Sequence, residues 1–510
     1  MTPSQKRIRQ VAIGGAVAFL VVLALPLILY NGLKAIVFLI FVAGIPGLMV
    51  GGFLLMQRVI PPDPLPLDRN VKRGTRVISS QAVQSYLEVK QQQWLKQTGK
   101  LEARPQLSIA GVKLPTDLEN LGFFMVGGPG SGKSQAIAQL LLEMQQRSDF
   151  RVIVFDRNGE FLEKFYQPTD LLFNPADVRS VSWSHCHEQA RAETIAAALI
   201  PEAHGDDAFF TDAARSLLAD LYNRCDSNAE IWEVLAGLTV EELCDFVKGG
   251  LSHRYFISEK TGGSVLSTLI NFVRFYNELD DGGESISFIN WAQSDDPRSL
   301  WLPLFEEDSE LYKPLYSAAF ELVLKGLLSN ETRQIKTAVV IDELGALNRL
   351  RSLSRLLSES RKFLGCPVLG TQTEAQLRKT YGEEDTRIVL QGTKTKLILN
   401  CGDPDTAELG ARVIGRQERI DRLESHSSSG SLLGAFSKSE SIRETYAVLP
   451  SELQALPKLQ GYLAIADGTP AAKVQITPKS YPCISSRLER KRHLFRAKRY
   501  PPPPSPSPNL

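Results

Sequence analysis

The octet Gly127-Gly128-Pro129-Gly130-Ser131-Gly132-Lys133-Ser134 leaves little choice of fold for the chain around it. It fits the spacing G-x-x-x-x-G-K-[ST], follows the apolar run LGFFMV (121–126), and opens a helical stretch that reaches about residue 147. Glycines here let backbone N–H groups turn inward around phosphate oxygens, and the start of the helix behind them adds partial positive charge. Lys133 then reaches the terminal phosphates, and Ser134 supplies a magnesium ligand, with Gln135 next on the helix. A chance glycine-rich turn would not bring strand, Lys-Ser pair and helix together. The pattern predicts ATP and Mg2+ as cofactors, bound along Gly127 to Gln135.

Such a loop needs a carboxylate for magnesium at the end of a nearby strand, and the run TAVVID (337–342) supplies Asp342. Glu343, one residue further, is placed to orient or deprotonate an attacking water, although an acidic doublet alone would also suit a helix start. Lys133 and Asp342 are 209 residues apart, too many for adjacent strands unless a whole domain is inserted between them. The strand PVLGT (367–371) leads to Gln372, which reads as a γ-phosphate sensor at the carboxyl edge of the sheet, or equally as an ordinary strand-end amide. A helix read over about 347–363 buries Leu350, Leu353 and Leu357 and exposes Arg351, Arg355 and Lys362. Such a stripe is usually a solvated face. Arg361, however, follows the acidic pair closely enough to be a candidate guanidinium for a neighbouring subunit's γ-phosphate.

Strand-like runs also occur at RVIVFD (151–156), TKLILN (395–400) and GYLAIA (461–466), with helices alternating between them. This predicts an α/β fold with a mostly parallel sheet covered on both faces and ligands at the strand carboxyl ends. Residues 184–282 change character: Ala213, Leu217, Leu218 and Leu221 keep helical spacing and no β-branched run appears, so the segment reads as an all-α insertion. It divides the nucleotide-binding domain into 101–183 and 283–483. The stretch 425–441, SHSSSGSLLGAFSKSES, reads as a mobile loop. Residues 484–510, a basic run from Arg487 to Arg499 followed by PPPPSPSPNL, read as a disordered tail that touches anionic lipid or nucleic acid, or is simply solvated.

Two uncharged apolar runs, 11–30 and 35–56, are each long enough to span hydrocarbon, and predict a two-helix transmembrane anchor within residues 1–60. Lys6, Arg7 and Arg9 before them, and Arg58, Lys72 and Arg73 after, put both flanks in the cytoplasm. A cleaved signal peptide fits less well, because the first run has no A-x-A end and is followed at once by a second. Residues 61–100 form a connector, stiffened by prolines and continued by a Gln-rich helix from 81 to 98. With 58 Lys and Arg against 57 Asp and Glu, no global charge points to a polyanion. The six cysteines form no CxxC pair and fit a reducing compartment, while His185-Cys186-His187 lacks further ligands at zinc-like spacing.

Beyond the phosphate loop, the strings FDRNGEFLEKF (155–165), LLFNPADVRSVSW (171–183), FFTDAARSLL (209–218), VVIDELGAL (339–347) and ESRKFLGCPVLGTQTEAQL (359–377) resemble the coupling proteins of type IV secretion and conjugation. These are the TraD and TrwB group of the RecA-like, FtsK-related P-loop ATPases. The resemblance implies an inner-membrane anchor, a RecA-like domain with an all-α insert in the cytoplasm, and a homo-hexameric ring passing single-stranded DNA. It also implies a relaxase with accessory proteins as substrate and a type IV secretion channel as the next partner. Lys133, Ser134, Asp342, Glu343 and Gln372 fall on the family's phosphate-loop, Walker B and sensor positions, and Arg361 on that of an arginine finger acting across subunits. Two departures stand out. Asn31 to Leu33 leave room only for a turn where many relatives carry a periplasmic domain, and the tail lacks the long extension of F-type relatives.

Three other readings share these motifs. A coupling ATPase for protein effectors would use the insert and tail as docking surfaces. A nucleotide-binding scaffold would have no need of Glu343, Gln372 and Arg361. Chromosome-segregating relatives usually bring more spanning helices and a DNA-reading C-terminal domain.

Overall fold

The computed structural model describes residues 70–99, 105–203, 208–427, 435–466 and 468–491. The proposed anchor at 1–60 lies outside them, and among the described residues no helix is long and apolar enough to cross a membrane. The body from Leu67 onward forms one compact unit.

Ten strands form its central sheet: β1 (Val77–Ser79), β2 (Phe123–Val126), β3 (Phe150–Arg157), β4 (Leu171–Leu172), β5 (Leu300–Leu304), β6 (Lys336–Ile341), β7 (Gly365–Thr371), β8 (Thr395–Ile398), β9 (Gln460–Ile465) and β10 (Ala471–Gln475). Their order is β1-β10-β9-β8-β2-β7-β6-β3-β5-β4. Every pairing from β8 to β4 is parallel, whereas β9 runs antiparallel to both β8 and β10. Helices cover both faces, so the central strands are continuous apolar runs with Phe123, Phe124, Val339, Val340 and Leu369 wholly buried. The order also corrects one expectation: β2 and β6 are not neighbours, because β7 lies between them.

β5 has no counterpart in the sequence reading. Pro303 interrupts its apolar run, and proline is tolerated there because β4 pairs only as far as Trp301 and leaves that side of the strand open. The Pro303 carbonyl is not wasted, since it accepts from Tyr316 Oη at 2.7 Å.

Between β4 and β5 the chain is mainly helical, with helices Ala192–Leu199, Ala208–Tyr222, Asn228–Gly237, Val240–Phe246 and Glu259–Val273. Its neck is closed by a two-residue parallel ladder, Ser182–Trp183 with Ser285–Ile286. Ser or Thr caps start three of these helices, and Thr239 with Glu242 makes a full capping box. The helix Ser309–Leu327 lies between insert and sheet; it is buried along nearly its whole length, so one apolar core runs through both.

Two segments depart from their expected disorder. Much of the stretch read as a mobile loop belongs to a long hairpin, Arg416–Ser427 with Ala435–Tyr446, whose inner end also pairs with Val71–Gly74. Serines and charges hid it, but Ile420 faces Ile442, and Arg416 reaches Glu444 across the ladder at 3.7 Å.

The second departure concerns residues 484–491, read as disordered tail but held against the body. Ile484 and Ser485 donate to the Glu163 carbonyl at 2.8 and 3.1 Å, Val178 donates to Glu489, and Lys491 donates to Ala176. Buried Asp177 anchors this strap, accepting from Glu489 N–H at 3.1 Å and from the Arg179 guanidinium at 2.7 Å, while Arg179 also donates to the Ser486 carbonyl. Replacing Asp177 by Ala is expected to cost about 1.5–3 kcal/mol, the value of hydrogen bonds to a charged group. Faster trypsin cleavage after Arg487 and Arg490 would accompany the loss; an unchanged cleavage rate would show that the strap is held by its other contacts.

Candidate nucleotide site

The phosphate loop joins β2 to the helix Lys133–Gln145. Gly130 and Gly132 adopt φ of 70° and 117°, values that side chains resist. A methyl group on Gly132 would also come within 3.0 Å of Leu459 and Ile476. The loop is tied down on one side by Gly128 N–H donating to the Asn400 carbonyl at 2.9 Å, and on the other by Leu459 N–H donating to the Ser131 carbonyl at 3.0 Å. Its backbone is therefore shaped before any ligand arrives.

Lys133 Nζ lies 3.4 Å from Glu343 Oε2, and both side chains are buried. The other oxygen of Glu343 accepts from Thr371 Oγ1 at 3.3 Å and from Gln372 N–H at 3.4 Å. The carboxyl ends of β2, β6 and β7 thus bring Lys133, Glu343 and Gln372 together, with Gln372 half-buried beside the acid. Gly370 makes the approach of β7 possible, because a methyl there would run into the Asp342 carbonyl.

Asp342 Oδ1 is buried and has no hydrogen-bond partner among the described residues. Burial pushes its pKa up, with Lys133 acting against the rise and Glu343 adding to it. A buried carboxylate oxygen left without a partner is costly unless a cation or proton meets it. A hydrated Mg2+, which takes one or two carboxylates and keeps several waters, fits this oxygen together with the Ser134 hydroxyl. Gln135 is otherwise engaged, its Oε1 accepting from Lys479 N–H at 3.0 Å.

Arg361 does not join this group. It is exposed, in the turn before β7, at the amino end of the strand whose carboxyl end carries Gln372. The helix read over 347–363 is also shorter: a single 3-10 turn at Leu344–Ala346, then a helix over Leu353–Glu359. The segment between spends its backbone elsewhere, with Asn348 N–H donating to Ser317 Oγ and Ser352 N–H to Glu321. Leu350, Leu353 and Leu357 are buried as expected, while Arg351, Arg355 and Lys362 pair with Glu202, Glu359 and Glu331.

One acid at the strand ends was not singled out from the sequence. Asp156 is the second-last residue of β3, one position past the pairing of Phe155 with Ile341 and so level with Asp342, and is wholly buried. Its pKa is pushed up to about 8 by burial, with partial relief from the N–H groups of Leu162 and Phe161 and a further push from Asp342. An acid ending an otherwise apolar run, as in VVID, was the available signal. In the His185-Cys186-His187 cluster, His185 stacks on Tyr222 and bonds the Cys225 carbonyl at 2.9 Å.

The family described as the type IV secretion-system coupling protein DNA-binding domain matches residues 106–477. The coupling protein TraD of Escherichia coli (strain K12) is 27% identical over 400 residues, covering 74% of this chain and 56% of TraD, so the chain spans about half the length of that relative. The fold is similar to that of the conjugative coupling protein TrwBΔN70 in complex with sulphate, at 24% identity and a TM-score of 0.72, covering 84% of this chain and 99% of that one. Plasmid coupling protein TrwB in complex with the non-hydrolysable ATP analogue ADPNP gives a TM-score of 0.71 at the same identity and coverage. The TrwB structures share this fold of an α/β body carrying a mainly helical insertion, and the chain belongs to the type IV secretion-system coupling proteins.

Proposed function

We propose that this chain is a membrane-anchored, ring-forming ATPase that recruits a relaxase–DNA substrate and drives single-stranded DNA toward a conjugative type IV secretion channel. The buried Lys133–Glu343 pair at the mouth of the phosphate loop carries this reading, because a scaffold that only held nucleotide would need no buried acid there. TrwB has been seen with ADPNP and with ADP and Mg2+, which supports the same ligands here.

In the proposed cycle the phosphates of ATP draw Lys133 away from Glu343, which then takes a proton from, or orients, the attacking water. Mg2+, held by Ser134 and Asp342, would neutralise charge on the phosphates. Gln372, already bound to Glu343 through its N–H, reports the γ-phosphate to β7. Arg361, at the far edge of the sheet from its own phosphate loop, acts only on a neighbouring subunit in a homo-hexamer. Residues 1–60 place the assembly in the bacterial inner membrane as a two-pass anchor, with the ATPase body in the cytoplasm.

The protein-effector reading has one observation in its favour. Residues 184–282 hold 17 Asp and Glu against seven Lys and Arg, in a chain that is nearly neutral. Such a charge balance disfavours phosphates and suits a basic protein, so the insert receives the protein part of the substrate while other elements grip the strand. Displacement of streptavidin from a 3′- or 5′-biotinylated single strand by the full chain in detergent tests the translocase directly. ATP-dependent displacement supports the DNA motor; none, with turnover stimulated instead by a basic protein, supports the effector reading.

A further inference from the structure

We infer that Asp156 is a second metal-side carboxylate, a positioning residue that orients the water shell of the magnesium held by Ser134 and Asp342. The inference rests on the nucleotide-site reading above and names a residue that reading does not use.

Asp156 divides its two oxygens between two tasks. Oδ2 accepts from Phe161 N–H at 2.9 Å and Leu162 N–H at 2.7 Å, closing the turn that follows β3. That turn needs help, since Asn158 and Gly159 both sit at positive φ, 67° and 68°. Oδ1 has no partner among the described residues, although the side chain is wholly buried. A carboxylate recruited only to close a turn would normally have its second oxygen in solvent or paired.

Asp342 at the neighbouring strand end shows the same pattern, one buried oxygen without a partner. Parallel register sets the two acids side by side, because Ile341 faces Phe155 and each acid is the next residue. Two adjacent buried carboxylates, each with an unsatisfied oxygen, call for a shared cation, and magnesium commonly reaches its outer carboxylates through retained water. Asp342 follows the shorter route to Ser134 and the phosphates, since β7 alone separates β6 from β2; Asp156 lies one strand further out and is suited to water-mediated contact.

Asp156→Asn separates the two tasks, because an amide carbonyl still accepts from Phe161 and Leu162 but carries no charge. Binding of a fluorescent ATP analogue to the full chain is followed as Mg2+ is titrated. The expected result is a Mg2+ midpoint raised by about 10–100-fold in the variant, the usual loss for a group behind the metal ligands, with affinity in EDTA unchanged. An unchanged midpoint would overturn the assignment. If the wild type binds no analogue at all, it is the nucleotide-site reading that falls. Should the variant fail to fold, hydrogen exchange in the wild type decides: Mg2+ added to the ADP-bound chain should slow exchange at Phe161 and Leu162, and identical exchange with and without Mg2+ would exclude a link between Asp156 and the metal.

Discussion

Replacing Glu343 by Gln will lower ATP turnover by at least about a hundredfold while nucleotide binding holds or tightens. The first half follows from removing the carboxylate proposed to activate water, a contribution of about 10²–10⁴ in rate. The second follows from the resting geometry. Lys133 Nζ is 3.4 Å from Glu343 Oε2 inside a buried site, so arriving phosphates must compete with that carboxylate for the ammonium group. An amide competes less. Parallel measurement of turnover and of equilibrium binding separates the two effects: turnover and affinity falling together would mean that Glu343 serves to hold Lys133 in place.

Removing Glu119 should cost about 3–5 kcal/mol of stability, read from denaturant unfolding of Glu119→Ala. This acid is fully buried just before β2, at the sheet edge opposite the phosphate loop. It accepts from Arg147 at 2.5 Å and Lys336 at 2.6 Å, and Asp149 adds a bond to Arg147 at 2.9 Å. Burial works against the charge on Arg147, but the hydrogen bonds it donates to Asp149 and Glu119 outweigh it and raise its pKa. Both cations also lie over the Phe150 ring, at 4.6 and 5.0 Å. Without Glu119 they repel each other in a site with little water. A cost below about 1 kcal/mol would mean that the cluster is worth no more than an exposed pair.

Legibility in the sequence followed burial. Strands buried on both faces, such as β2, β3 and β6, announce themselves as unbroken apolar runs, and the phosphate loop between strand and helix pointed to a nucleotide site. Segments stabilised by hydrogen bonding to distant backbone did not announce themselves. The hairpin reads as a loop because its sequence is rich in serine and charge and has no apolar run, while its strands are set by a backbone ladder. The strap at 484–491 reads as tail because its partners, Glu163, Asp177 and Ala176, lie more than 300 residues earlier. Strand order was hidden for a similar reason: the gap between Lys133 and Asp342 shows that something is inserted, but only pairing shows that β7 passes between their strands and brings Gln372 to Glu343. Asp156 was visible as an acid ending an apolar run, yet its unpaired oxygen belongs to three dimensions. Arg361 is the opposite case, a residue whose proposed partner lies on another subunit.

We propose that the site at the carboxyl ends of β2, β6 and β7 is an ATPase driven by single-stranded DNA. Its most direct test is the steady-state ATP turnover of the full chain in detergent, with and without single-stranded DNA, as a function of protein concentration. Turnover that rises steeply with concentration, is stimulated by DNA and is lost in Lys133→Ala is the result expected of a ring-shaped motor. Turnover indifferent to DNA at every concentration, or persisting without Lys133, would contradict it.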